Sequence, residues 1–175
     1  ITSTHLFLKD LDVFIVSNPQ LFQDGDIFTG APEAENGGPF GGSFPHAETY
    51  HTFLIDQYRT EQKAFEKIGK KVELNWFSMN GDVAKLYDQN TLDTIGNLAT
   101  VDHYINHAAK MDDIINHFKD GYASKVMIGE FGAPIPDING PMNEDEQAAF
   151  VDSVFKKLYD RRDSVIGINY WVLTD

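Results

Sequence analysis

The alternation of apolar and polar positions along this chain predicts helices and short buried strands in turn. Residues 7–23 mix apolar and polar residues at roughly helical spacing, with Pro19 expected to kink or restart the helix. Ile27-Phe28-Thr29 starts a short strand that runs into the turn-rich stretch Gly30 to Gly38 and then a Gly- and aromatic-rich loop to His46. Leu54, Tyr58, Phe65 and Ile68 form an apolar stripe on a helix beginning near Glu48 and ending at Gly69. Val72–Ser78 reads as a second strand, a short helical turn follows over Val83–Tyr87, and Leu98–Ile105 reads as a third strand. Met111, Ile114, Ile115 and Phe118 repeat at i, i+3, i+4, i+7, which predicts a one-sided helix stopping near Gly121. The apolar run Val126-Met127-Ile128 bounded by glycines is a fourth, fully buried strand. Asn143 with Glu146 three residues later predicts a capping box, and Val151, Val154, Phe155 and Leu158 line one face of the helix it opens. Val165–Leu173 makes the fifth strand.

Strands alternating with amphipathic helices imply right-handed βαβ units and a parallel sheet, hence one α/β domain over residues 1–175. A chain of 175 residues with 42% hydrophobic and 13% aromatic residues can bury a sizeable core. No apolar run reaches the roughly 20 residues that span a bilayer, so no membrane partner is expected. The formal charge of −13 argues against nucleic acid, whose phosphates demand clustered Lys and Arg, and suits an enzyme of neutral substrates. The absence of cysteine excludes disulfides, Cys-ligated zinc and thiol catalysis but leaves the compartment, secreted or cytoplasmic, open. The first ten residues carry no signal-peptide pattern and no initiator Met, so the expectation is a processed chain or a piece of a longer one.

Parallel α/β proteins place chemistry at the carboxyl ends of their strands. Those ends carry Glu33, Glu35 and Asn36; Asn75, Ser78 and Asn80, with Trp76 in the strand itself; Asp102, His103 and Tyr104; Glu130; and Asn169, Tyr170 and Trp171. Two glutamates from different strand ends with aromatics beside them are the set that glycoside hydrolysis needs. One carboxyl protonates the leaving oxygen, a second attacks or activates water, and an aromatic platform holds the sugar. Zinc is poorly served, since His103 and His107 straddle a strand-to-helix junction. Gly37-Gly38 and Gly41-Gly42 match neither phosphate-binding spacing, and no cofactor or metal is expected.

Val126-Met-Ile-Gly-Glu-Phe-Gly132 and Gly167-Ile-Asn-Tyr-Trp-Val-Leu173 together resemble strands seven and eight of the (β/α)8-barrel retaining glycoside hydrolases, the clan with its acid/base on strand four and its nucleophile on strand seven. The resemblance implies Glu130 as nucleophile and Trp171 as the floor of the subsite beside the cleaved bond. Asp102-His103-Tyr104 resembles strand six, which implies Tyr104 or His103 as the hydrogen-bond partner of the nucleophile or the sugar. Asp26–Gly37 resembles strand four with its acid/base loop. Here the chain departs from the family's Asn-Glu, having Pro32-Glu33 and then Glu35-Asn36. Glu33, nearest the strand end, is favoured as acid/base over Glu35, and Asn36 is a candidate for the sugar-binding amide. Trp76 and Asn169 complete the expected sugar-contacting set.

A complete barrel has eight strands in about 250 residues, and the match runs only from helix three to strand eight. The expected architecture is therefore a partial TIM barrel of about five strands, natural or a fragment. Its strand edges invite self-association, and its partner is an oligo- or polysaccharide with β-linkages. Two other readings stand beside hydrolysis: a carbohydrate-binding remnant without turnover, and a scaffold piece that folds only with a missing half.

Overall fold

The computed structural model describes residues 3–37, 40, 46–74 and 80–171. The chain runs α1 (Ser3–Ser17), α2 (Ala47–Lys67), α3 (Gly81–Ala84), α4 (Gln89–Thr94), β1 (Leu98–Asp102), α5 (Met111–Tyr122), β2 (Lys125–Phe131), α6 (Pro136–Asn139), α7 (Glu144–Asp160) and β3 (Val165–Tyr170). Among the described residues the sheet is parallel and three-stranded, in the order β1-β2-β3. The α/β reading holds, but the five expected strands do not all appear as strands. Ile27 and Glu73 form an isolated parallel bridge, as do Asn80 and Asp102. Phe28 N–H donates to the Glu73 carbonyl (2.9 Å) and Glu73 N–H to that of Asp26 (2.7 Å), so among the described residues the first two predicted strands meet over one short stretch. Residues 75–79, most of the second predicted strand, lie outside the described residues.

Several boundaries move for local reasons. The first helix starts at Ser3 and stops at Ser17 instead of covering 7–23. Asn18, just before Pro19, has φ −129° and ψ 49°, as expected of a residue the proline ring pushes out of the helical region, and only a single 3-10 turn follows. The strand expected to reach Ile105 ends at Asp102. Gly121 falls inside α5, and Ala123 instead takes the left-handed conformation (φ 52°) that closes it. The capping box forms as expected: the Asn143 side chain accepts from Glu146 N–H (3.0 Å), and the Glu146 carboxylate accepts from Asn143 N–H (2.9 Å).

Alternation along the strands sorts core from site. Ala99 and Val101 of β1, Val126, Ile128 and Phe131 of β2, and Val165 of β3 are buried against the helices. They pack on Met111, Ile114, Ile115 and Phe118, the i, i+3, i+4, i+7 set of α5, each 0% exposed. Val154 and Leu158 of α7 join this core, whereas Phe155 from the same predicted stripe stays 43% exposed at its margin. Met127, expected in the core, is only half-buried. A smaller cluster of Leu11, Ile15, Phe22, Ala64 and Phe65 ties α1 to α2. No helix among the described residues is long and apolar enough to cross a membrane.

Candidate active site

The opposite face of the sheet carries the polar residues. Parallel pairing sets Asp102 beside Glu130 and Phe131 beside Tyr170. Tyr170 points to the helix side, where its hydroxyl donates to the Ala133 carbonyl (2.8 Å) and accepts from Gln147 of α7 (3.2 Å). By the period of two, Asn169 and Trp171 then alternate to the face that Glu130 occupies. Both are exposed, Trp171 by 56%.

Gly132 explains the second glycine of the Gly-Glu-Phe-Gly stretch. A Cβ there would lie 1.9 Å from the Trp171 carbonyl oxygen, so only glycine lets the end of β3 pass this close behind Glu130. Trp171 N–H donates to the Phe131 carbonyl (2.8 Å), which fixes the two strand ends together. The peptide bond from Ala133 to Pro134 is cis.

Glu33 reaches the same place from the turn between residues 31 and 37. One carboxylate oxygen each from Glu33, Asp102 and Glu130 lie within 4.8 Å of one another. Glu33 has φ 45°, a left-handed conformation uncommon outside glycine that recurs at functional sites. Its carboxylate accepts from Asn36 Nδ2 (2.7 Å). Burial raises the Glu33 pKa above its ordinary value, and the nearby Glu130 and Glu35 charges add to this, against the lowering contributions of Asn36 and Asp102.

Tyr104 donates its hydroxyl proton to Glu130 Oε2 (2.7 Å), and burial together with that bond pushes its own ionisation further up, leaving it a neutral donor. His103, the alternative partner, turns elsewhere. Its Nε2 faces the Lys110 carbonyl (3.4 Å) and its ring stacks over Gly81, where a Cβ would come within 2.8 Å of Nδ1. Burial lowers the His103 pKa. Only its backbone N–H meets Glu130, at the carbonyl oxygen (2.8 Å).

Glu35 is 5% exposed and its oxygens are held by Asn80 N–H (2.7 Å), Asn80 Nδ2 (3.1 Å) and the Tyr50 hydroxyl (3.1 Å). It braces the turn from below. Asn36 is exposed, and its Oδ1 accepts from Asn80 Nδ2 (3.2 Å) while its Nδ2 serves Glu33. Trp76 lies outside the described residues. The arrangement therefore brings Glu33, Glu130, Tyr104 and Asn36 together, sets Trp171 and Asn169 on the same face, and separates the side chains of Glu35 and His103 from the carboxyl pair.

Sequence reading passed over Asp102 as a site residue and Tyr50 as the partner of Glu35. For Asp102 a signal existed, since Thr100 and Asp102 alternate with Ala99 and Val101. Nothing in the sequence links Tyr50 to Glu35. Among the described residues Asn36 donates to Glu33 and Tyr104 to Glu130, which leaves the three carboxyl groups clustered within 4.8 Å.

No protein-family model matches the sequence, and no curated protein matches it either. Solved structures do resemble it. A mutant hyperthermophilic β-glucosidase superposes with a TM-score of 0.57 at 13% identity over 97% of this chain and 51% of its own. A β-glucuronidase from an uncultured Clostridium species superposes with a TM-score of 0.50 at 13% identity, over 86% of this chain and 26% of its own. The chain thus spans about half the length of the first and a quarter of the second. At this identity the likeness is one of backbone, and the chain shares the fold of part of each of these two structures.

Proposed function

We propose that the chain is the acid/base-to-nucleophile segment of a (β/α)8-barrel glycoside hydrolase, cleaving β-linked oligo- or polysaccharides with retention. The single observation that carries this reading is the approach of the Glu33 and Glu130 carboxyl oxygens to within 4.8 Å. Retaining enzymes hold their carboxyls about 5–5.5 Å apart, whereas inverting enzymes need roughly 6.5–9.5 Å to admit a water. Glu130 attacks the anomeric carbon while Glu33 protonates the leaving oxygen. Glu33 then takes a proton from the water that releases the sugar.

The upward direction of the Glu33 pKa is the one a proton donor needs, and Glu35, enclosed by Tyr50 and Asn80, is poorly placed to compete. Tyr104 orients Glu130. The exposed Trp171 and Asn169 supply a sugar platform and an amide on the same face, with Asn36 beside Glu33. The β-glucosidase and β-glucuronidase likenesses support the substrate class.

One observation favours a second reading. Because the chain spans only 51% of that β-glucosidase, much of a sugar pocket would come from elsewhere, and a carbohydrate-binding segment without turnover fits the same exposed Trp171. Glu130→Gln separates the two. The hydrolase reading expects turnover of chromogenic β-glycosides by the parent chain, its loss by at least about 10³-fold in the variant, and retained oligosaccharide binding by calorimetry. A parent chain that binds sugar but releases no chromophore selects the binding reading.

A further inference from the structure

Glu33 is tied to the buried Glu35 by a chain of two side-chain amides. Glu35 Oε1 accepts from both the N–H and the Nδ2 of Asn80 (2.7 and 3.1 Å), and its Oε2 accepts from the Tyr50 hydroxyl (3.1 Å). Asn80 Nδ2 also donates to Asn36 Oδ1 (3.2 Å), and Asn36 Nδ2 donates to Glu33 Oε2 (2.7 Å). Starting at the buried end, each bond fixes the next. Three donors converge on the Glu35 carboxyl, which therefore acts as acceptor and turns the Asn80 NH2 group inward. That group has two protons, one for Glu35 and one for the Asn36 oxygen. Turning the Asn36 amide over would set two NH2 groups face to face and press its oxygen against the Glu33 carboxylate. One orientation is left, with a donor on Glu33 Oε2.

The anchors of this relay are well held. Tyr50 of α2 is 2% exposed, and Asn80 stands where α3 begins and bridges to Asp102 at the end of β1. Asn36 is exposed on the turn, so packing does not orient its amide and the relay does. A carboxyl group that accepts through one oxygen carries its proton on the other. With Oε2 taken, that atom in Glu33 is Oε1.

We propose that Glu35 and Asn80 are positioning residues, which set the Asn36 amide so that Glu33 gives and takes its proton at Oε1 and is favoured as a base in the second step. The catalytic meaning rests on the hydrolase reading, but the relay itself does not. In the first step the proton leaves Oε1 for the glycosidic oxygen, which keeps the electron pair of the broken bond, while Glu130 bonds the anomeric carbon. Glu33 is then a carboxylate, the form that a donor on Oε2 stabilises. In the second step water gives a proton to Oε1, its oxygen bonds the anomeric carbon, and the ester electron pair returns to Glu130.

NMR of carboxyl carbons and side-chain amides in the full chain, free of substrate, tests the relay. In the parent, the Asn36 Nδ2 protons should follow the Glu33 titration, and an Asn36 amide that does not sense it overturns the relay without any variant. Asn36→Ala removes the donor and should raise the Glu33 pKa by about one pH unit. Asn80→Ala, whose parent side chain makes no capping bond to α3, should move it the same way. The double variant should titrate where Asn36→Ala does, because Asn80 acts through Asn36. Additive shifts, or an unmoved Glu33 in Asn80→Ala, overturn the relay. Glu33 should also titrate higher in Glu35→Ala than in Glu35→Gln, since both lose the charge and only Gln keeps an acceptor oxygen for Asn80. Equal values overturn the part given to Glu35.

Turnover supplies a second readout. With a dinitrophenyl β-glycoside, whose leaving group needs little protonation, release of the glycosyl-enzyme limits kcat. Asn80→Ala should then lower kcat and KM together, by about tenfold, because only the base step is weakened. An unchanged kcat overturns the base-step role. A parent chain with no turnover sinks the hydrolase reading, and the NMR cycle still decides the relay by itself.

Discussion

Glu61 and Gln57 of α2 are both fully buried, on a helix whose other buried members are Tyr50, Phe53, Leu54, Ala64 and Phe65. Gln57 Nε2 donates to Glu61 Oε1 (2.9 Å), and the Gly30 backbone N–H bonds the same carboxyl group, three residues before Glu33. A Cβ at Gly30 would fall 2.2 Å from Glu61 Oε1, so glycine is needed for the turn to settle there. Burial pushes the Glu61 pKa up to about 8, against the bonds from Gln57 and Gly30 that lower it. Its folded value therefore lies above the unfolded carboxylate value of about 4.3. The native state binds more protons than the unfolded one between those two values, so stability falls as pH rises through that window. The loss is on the order of a few kcal/mol, at about 1.4 kcal/mol per pKa unit. Glu61→Gln is expected to flatten this slope, which urea unfolding at pH 5 and pH 8 would measure. An unchanged slope in the variant would assign the pH dependence elsewhere. The helical stripe of Leu54, Tyr58, Phe65 and Ile68 was readable from spacing, but two polar residues on the buried face were not. Their burial depends on a turn far upstream in the chain.

Among the elements, β2 shows most clearly how a strand end becomes a site. Its apolar run buries Val126 and Ile128, a register irregularity between Ile128 and Phe131 lets Phe131 rejoin the helix-side core, and Glu130 is left on the opposite face. Phe131 anchors the strand against Phe150 (6.1 Å between centroids) and Tyr170 (5.5 Å). Gly132 then passes under the Trp171 carbonyl. Gly132→Ala forces a clash with backbone rather than with a movable side chain, so a destabilisation of about 1–3 kcal/mol is expected. The Trp171 indole should shift with it. Denaturant unfolding followed by Trp fluorescence reads both, and an unperturbed midpoint would mean the two strand ends can part without cost.

For the molecule as a whole, β3 stands at one end of the described sheet with no described strand beyond it. Ile166 on this strand is 44% exposed, and Phe155 (43%) and Tyr159 (67%) are exposed on α7, which packs over the sheet. A groove of about 530 Å³ lies beside Phe155, lined also by Val151, Gln147 and Tyr170. An open strand edge next to apolar surface is a template for pairing with another chain. The expected outcome is concentration-dependent self-association in sedimentation velocity, shifted towards monomer by Ile166→Lys, since charge on an edge strand opposes edge-to-edge pairing. A parent chain that stays monomeric across the concentration range would rule this out.

Element types and most of the core were legible in the order of residues alone. Period 3.6 in α5, the capping box of α7 and the apolar runs of β1, β2 and β3 are local patterns, set by which neighbours in the chain are apolar. The paired motifs around Glu130 and Trp171 were equally visible, because each occupies one short stretch. Relations between distant stretches came only with the packed chain. Folding brought Glu33 rather than Glu35 towards Glu130, turned Tyr104 and not His103 onto that carboxylate, enclosed Glu61 beneath Gly30, and placed Asp102 against both glutamates. Each of these depends on parallel register and on a turn held in a left-handed conformation at Glu33. Neither is encoded in the periodicity of any one segment, because both arise when segments far apart in sequence pack together.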